Sequence, residues 1–310
     1  MSEKTSLDQV LACPDLPTLP AVAIQVLELT CVDNVEVKEI ARAVELDPAL
    51  AAKILKVVNS SYYGLSQPCP TISRAVSYLG MNTVKSLVLG FSLVDLTGRG
   101  RRGLDLVDYW RRSIYSAAAA RRLAACLPAC NSEEAFTAAL MQDIGMLAMN
   151  TALESRYTWV LALCQGDHAR LPEVEDATLG FHHAEAGARL AEKWGLPRQL
   201  LPPIRYHHGD QVPVVMDDPL VRVVELAYQI YALITGQNAQ KMLEVVTQRG
   251  QELLGLSPLD INATIVSTAS DARELSRMLQ VNVGEELDIQ VLLAEAQERL
   301  QIHQRRLKSA

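Results

Sequence analysis

A chain of 310 residues, 49% hydrophobic and 21% charged, is long enough to bury a sizeable core and has the composition of an ordinary water-facing protein. Its formal net charge of −7 argues against a nucleic-acid-binding body. No apolar run reaches the length a bilayer demands, and the first six residues lack the apolar stretch of a signal peptide, so a cytoplasmic location with no membrane partner is expected.

Aromatic residues make up only 5% of the chain while Leu, Ala and Val abound, which favours helices over sheets. Pro20 suits the first turn of a helix carrying Val22, Ile24, Val26, Leu27 and Leu29, and residues 35–44 predict a second. Asp47-Pro48 opens a third: the Asp side chain caps free N–H groups and Pro fits the first turn. Asn59 to Gly64 stops that helix, and residues 71–79 and 82–96 predict two more, separated by Gly80. Three glycines within residues 97–103 break the pattern and mark a connector, whose Arg99, Arg101 and Arg102 read as solvated charge.

Beyond it, residues 104–125 predict a helix, and Asn131 or Ser132 caps another with Gln142-Asp143 in its middle. Helices over 152–165, 182–194, 197–208 and 219–234 follow, then 239–254, 259–279 and 284–307. Only residues 212–216 look strand-like. The six cysteines, with no C-x-x-C among them, read as reduced thiols.

Chemistry concentrates in a few places. Asp143, the pair His182-His183 and the pair His207-His208 hold four of the six histidines beside one carboxylate, the donor types of a divalent-metal site. The alternative is structural: helix-end histidines that bond backbone carbonyls. His182, His168 and His303 read as exposed.

Several motifs then fall in order: Leu16-Pro17-Thr18-Leu19-Pro20, Asp47-Pro48-Ala49-Leu50, Val58 to Gly64, Ala75 to Gly80, Trp110-Arg111-Arg112-Ser113, Leu140 to Gly145, His183 to Gly187 and Trp194 to Pro197, with His207 and His208 after them. In that order and spacing the chain resembles the HDOD domain, the HD-related output domain of bacterial signalling proteins, over about residues 16–235. The resemblance implies an all-α fold: an HD-like multi-helix core with a helical N-terminal bundle and C-terminal helices. It divides the chain into an N-terminal tail (1–15), an HDOD domain (16–235, with a helical subdomain at 16–97 and an HD-like core at 104–235) and a helical extension (236–310).

Catalytic HD enzymes hold metal with a histidine, a His-Asp doublet and a later aspartate. In the resemblance those positions fall on Arg112, Gln142-Asp143 and Tyr228, so only Asp143 survives, with His183, His207 and His208 as residual ligands. The expectation is a regulatory pseudoenzyme with no bound metal, in which Arg112 faces Asp143 as an ion pair and which works by binding a signalling protein partner or small ligand. The second reading is a metal-dependent phosphohydrolase of nucleotides or cyclic dinucleotides with a degenerate site.

Overall fold

The computed structural model describes residues 6–29, 35–60, 63–97, 103–209, 212–213, 216–235 and 239–285. The chain winds through α1 (Leu7–Leu11), α2 (Ala21–Leu29), α3 (Val37–Glu45), α4 (Pro48–Val58), α5 (Ile72–Leu79), α6 (Met81–Thr97), α7 (Leu106–Ala125) and α8 (Ser132–Leu140). It continues through α9 (Ile144–Leu153), α10 (Ser155–Leu163), a 3-10 turn at His168–Arg170, α11 (Leu171–Leu179) and α12 (His183–Lys193). A second 3-10 turn at Arg198–Leu200 precedes α13 (Leu201–Arg205), α14 (Pro219–Thr235), α15 (Ala239–Leu254) and α16 (Pro258–Leu279). No strand occurs among the described residues, so the all-α expectation holds. Nor is any single described helix long and apolar enough to cross a membrane. The connector glycines and arginines at 98–102, the last predicted helix beyond residue 285, His303, Cys31 and Val214-Val215 of the 212–216 run lie outside the described residues.

Local chemistry sets the helix ends where the sequence placed them. Asp47 accepts from the N–H groups of Ala49 and Leu50 at 3.0 Å each, with Pro48 in the first turn of α4. Asn131 caps α8 through the N–H groups of Glu133 (2.9 Å) and Glu134 (3.1 Å). Gly80, at φ +82°, lets α5 and α6 meet at 113°, a turn that residues with a Cβ rarely adopt. Asn59 fixes the loop after α4 by donating to the Cys69 carbonyl (2.9 Å) and accepting from the Cys69 N–H (2.6 Å), in keeping with its structural reading.

The N-terminal helices and the later core share one hydrophobic cluster running from Leu11 to Leu279, with α6, α7, α8 and α14 at its centre. Ser86 on α6 and Thr137 on α8 join across the two halves at 2.8 Å. A smaller cluster of Val10, Met146, Met149, Tyr157, Val160, Leu171 and Leu179 binds α1, α9, α10 and α11 beside it. Residues 7–11, expected to be tail, thus form a helix with Val10 buried, because an apolar pair after a Ser6 cap has a core to enter.

The expected mid-helix place of Gln142-Asp143 is corrected: α8 ends at Leu140, and 141–143 form a tight turn before α9. The predicted helix over 197–208 likewise breaks into the 3-10 turn and short α13, leaving His207 and His208 in the turn beyond. Pro202 and Pro203 lack the N–H groups a continuous helix would use there. Next to the first turn, α9 and α12 cross closely at two glycines. A Cβ on Gly145 would stand 1.9 Å from the His183 carbonyl oxygen and 2.5 Å from the Gly187 nitrogen.

Candidate functional site

The turn at 141–143 frees Asp143 from helix duty. Its side chain occupies the N-cap position of α9 but bonds none of that helix's N–H groups, so it is available to the interior. Asp143 is fully buried, and Arg112, reaching from α7, donates from Nε to Oδ2 at 2.5 Å. Nη1 of the same guanidinium bonds Asp108, one turn earlier on α7, at 2.9 Å, and Nη2 meets Met146 Sδ at 3.2 Å. Tyr231 of α14 donates to the other Asp108 oxygen at 3.2 Å. Burial works against ionisation of Asp143, but the Arg112 charge beside it holds the carboxyl well below its usual range. The expected Arg112–Asp143 pair is therefore present, and both partners are buried.

The second oxygen, Oδ1, faces imidazoles. Nε2 of His207, His183 and His168 lie 3.3, 3.4 and 3.5 Å away. Asp143 Oδ1 and the Nε2 atoms of His168 and His207 are buried without a hydrogen-bond partner. His207 Nδ1 bonds the Ile204 carbonyl at 2.8 Å, the helix-end role foreseen for it, which leaves Nε2 turned to Asp143. His183 Nδ1 bonds Glu175 Oε2 at 2.6 Å; the same oxygen takes the His183 backbone N–H at 2.8 Å, and Oε1 accepts from Tyr157 at 2.6 Å. His208 Nε2 lies 2.9 Å from His183 Nε2.

These surroundings push the rings apart in basicity. Burial would depress His183, but Glu175 on one side and Asp143 on the other hold it up, to about 9. Burial and the nearby Arg112 charge push His168 down to about 3, and burial with neighbouring imidazoles holds His208 well below its ordinary value. At neutral pH the His183 ring itself carries the cation that Asp143 and Glu175 call for; a metal ion would take over from that proton.

Of the residues that the resemblance put at lost ligand positions, Arg112 is paired and Gln142 turns away, its Nε2 donating to Ser116 Oγ at 3.3 Å. Tyr228 lines the cluster, its hydroxyl 3.2 Å from His168 Nδ1. The expectation that His168 is a surface residue is corrected: its side chain is 10% exposed and sits among the other rings. His182, also expected to be exposed, is half-buried and caps α12 through the Glu185 N–H at 3.4 Å. Asp108, Tyr157 and Glu175 went unread in the sequence. Asp108 had a detectable signal, its i,i+4 spacing to Arg112; Tyr157 and Glu175 had none, since only the fold brings them to His183.

Two donor trios result, Asp143–His183–His207 and His168–His183–His208, with donor atoms within 4.8 Å of one another in each. Imidazole and carboxylate donors, with His183 oriented by a carboxylate behind it, suit a divalent transition metal. The expectation of a metal-free site does not follow from this geometry. Opening toward solvent beside Arg112 and His168 is a cavity of about 180 Å³, lined by Leu104, Asp105, Asp108, Met146, Leu161 and Cys164 among others.

The sequence profile of the HDOD domain matches residues 16–209. An uncharacterised protein of Treponema pallidum (strain Nichols) is 25% identical over 238 residues, 74% of this chain but 44% of that protein, so the chain spans less than half of that relative. An HDOD domain protein of unknown function from Geobacter sulfurreducens has a similar solved structure, with TM-score 0.74 at 22% identity over 88% of this chain and 97% of that one. A protein of Shewanella amazonensis SB2B, designated a candidate phosphohydrolase, gives TM-score 0.71 at 25% identity over the same shares of the two chains.

Proposed function

Because the chain belongs to the HDOD family, whose fold is shared with the candidate phosphohydrolase above, we propose that it is a non-catalytic regulatory module that works by binding a protein partner or small ligand. One observation carries this reading: the buried Arg112 guanidinium bonded to Asp143 Oδ2. A hydrolase of this descent needs that carboxylate on metal, and needs metal to activate water and neutralise a phosphate. Here a fixed, always-protonated cation takes half of the carboxylate, and its planar N–H groups offer no lone pair to a metal. Gln142, bonded to Ser116, adds no strong donor. Where an ion does bind, Asp143, His168, His183, His207 and His208 are the residues to hold it, and the ion would supply positive charge and Lewis acidity there.

The acidic mouth supports the same reading. Asp105 and Asp108 line the adjoining cavity, and a phosphate-bearing substrate would meet them on entry. The test is an assay of the full chain, with Mn²⁺, Fe²⁺, Ni²⁺ and Mg²⁺ in turn, against cyclic dinucleotides and nucleotides. No turnover above the metal-only blank is expected. Metal-dependent turnover that Asp143→Ala abolishes would overturn the proposal.

A further inference from the structure

We infer that the pocket binds one divalent transition-metal ion displaced from the ancestral position, on the trio His168–His183–His208 rather than on Asp143. The inference rests on the regulatory reading above, because it names the ligand such a module would take.

Two facts point to a cation at all. Asp143 Oδ1 and the Nε2 atoms of His168 and His207 are buried and without partners, an unusual concentration of orphaned polar atoms in one place. The charges are also uneven: Arg112 and the His183 proton stand against the three carboxylates of Asp108, Asp143 and Glu175, which leaves one negative charge, and a divalent ion that replaced that proton would bring the cluster to neutrality.

Arg112 decides where the ion goes. It bonds Asp143 directly, so an ion on Asp143 Oδ1 would share one carboxylate with a guanidinium and be repelled by it. The second trio keeps His183 as its oriented member but exchanges Asp143 and His207 for His168 and His208. Glu175 on Nδ1 directs His183 Nε2 inward, the arrangement that fixes metal-bound imidazoles. The Nε2 atoms of His183 and His208 share a hydrogen bond at 2.9 Å, the same separation that two donors about 2.0–2.1 Å from one ion show at about a right angle, so an ion can take the place of the shared proton. His168 comes from a three-residue 3-10 turn before α11, so an ion here would fasten that turn to α12 and to the turn after α13.

The experiment uses the full chain without a histidine tag, stripped with chelator and reloaded with Zn²⁺ or Co²⁺. Elemental analysis should return about one equivalent, and a Co²⁺ spectrum should show histidine-ligated metal. His168→Ala should weaken binding by more than about tenfold, with His168→Gln as the second variant should the first fold poorly by circular dichroism. His182→Ala and His207→Ala should both retain the ion. Loss of metal in His207→Ala with retention in His168→Ala would place the ion on Asp143 and overturn the inference, as would wild-type protein that binds no ion. Neither readout involves turnover: a metal-loaded chain that hydrolysed cyclic dinucleotides would sink the regulatory reading alone, and an inert chain that binds no metal would sink this inference alone.

Discussion

Substituting Gly145 by alanine adds one methyl group at the crossing of α9 and α12. The new Cβ would lie 1.9 Å from the His183 carbonyl oxygen, against about 3.3 Å for a relaxed carbon–oxygen contact. The helices must therefore separate by about 1.4 Å locally, and the atoms in the way are backbone, which cannot rotate aside. Alanine favours the helix over glycine by up to about 1 kcal/mol, while overpacking of this kind costs about 1–3 kcal/mol and more where backbone meets backbone. The steric term wins, and we expect a net loss of about 2 kcal/mol, read as a fall in Tm of roughly 5 °C for a chain of this size. The same separation carries His183 away from Asp143 Oδ1, now 3.4 Å off, by more than the roughly 0.5 Å such sites tolerate. Thermal and urea melts of Gly145→Ala beside wild type give the measurement. An unchanged or raised Tm would mean that the propensity gain prevails and that the two helices are not held in contact in solution.

Three further outcomes follow from the buried polar network. Arg112→Ala strands Asp143 in the interior and should cost about 3–5 kcal/mol, whereas Arg189→Ala, which breaks an exposed contact to Asp8, should leave a denaturant melt almost unmoved; equal effects would show that Arg112 is solvated. Glu175→Gln should lower stability and weaken metal binding together, because it removes the charge that orients His183, while Tyr157→Phe should cost about 1 kcal/mol through one lost hydrogen bond. Undiminished metal binding in Glu175→Gln would show that His183 orients itself.

The sequence made the helices readable because caps and apolar spacing are local: Asp47, Asn131 and Gly80 act on the residues beside them. It also made Arg112 opposite Asp143 readable, through motif order. It hid the break at Gln142-Asp143, since α8 stops at Leu140 with no Pro or Gly at 141–143 to mark the turn. His168 was misread for a related reason. Its neighbours Gly166, Asp167 and Arg170 look like surface, yet the 3-10 turn folds one ring inward against Tyr228. Glu175 and Tyr157 meet 18 residues apart in sequence, beyond the reach of any helical periodicity.

The recognisable family match stops at residue 209, but the polar cluster does not. Tyr228 and Tyr231 reach it from α14, and Glu225 of the same helix lies over Gly209 and pairs with Arg249 on α15. Further along, α16 lies on α7, and Leu279 covers Gly90 inside the N-terminal half. A segment excised at the family boundary and grafted elsewhere would keep its identifying motifs while losing the roof of its own pocket. The transplantable piece is thus longer than the recognisable one: it runs at least to Leu279, and what looks by motif like an appended tail is part of the box that keeps Arg112, Asp143, His183 and His207 dry.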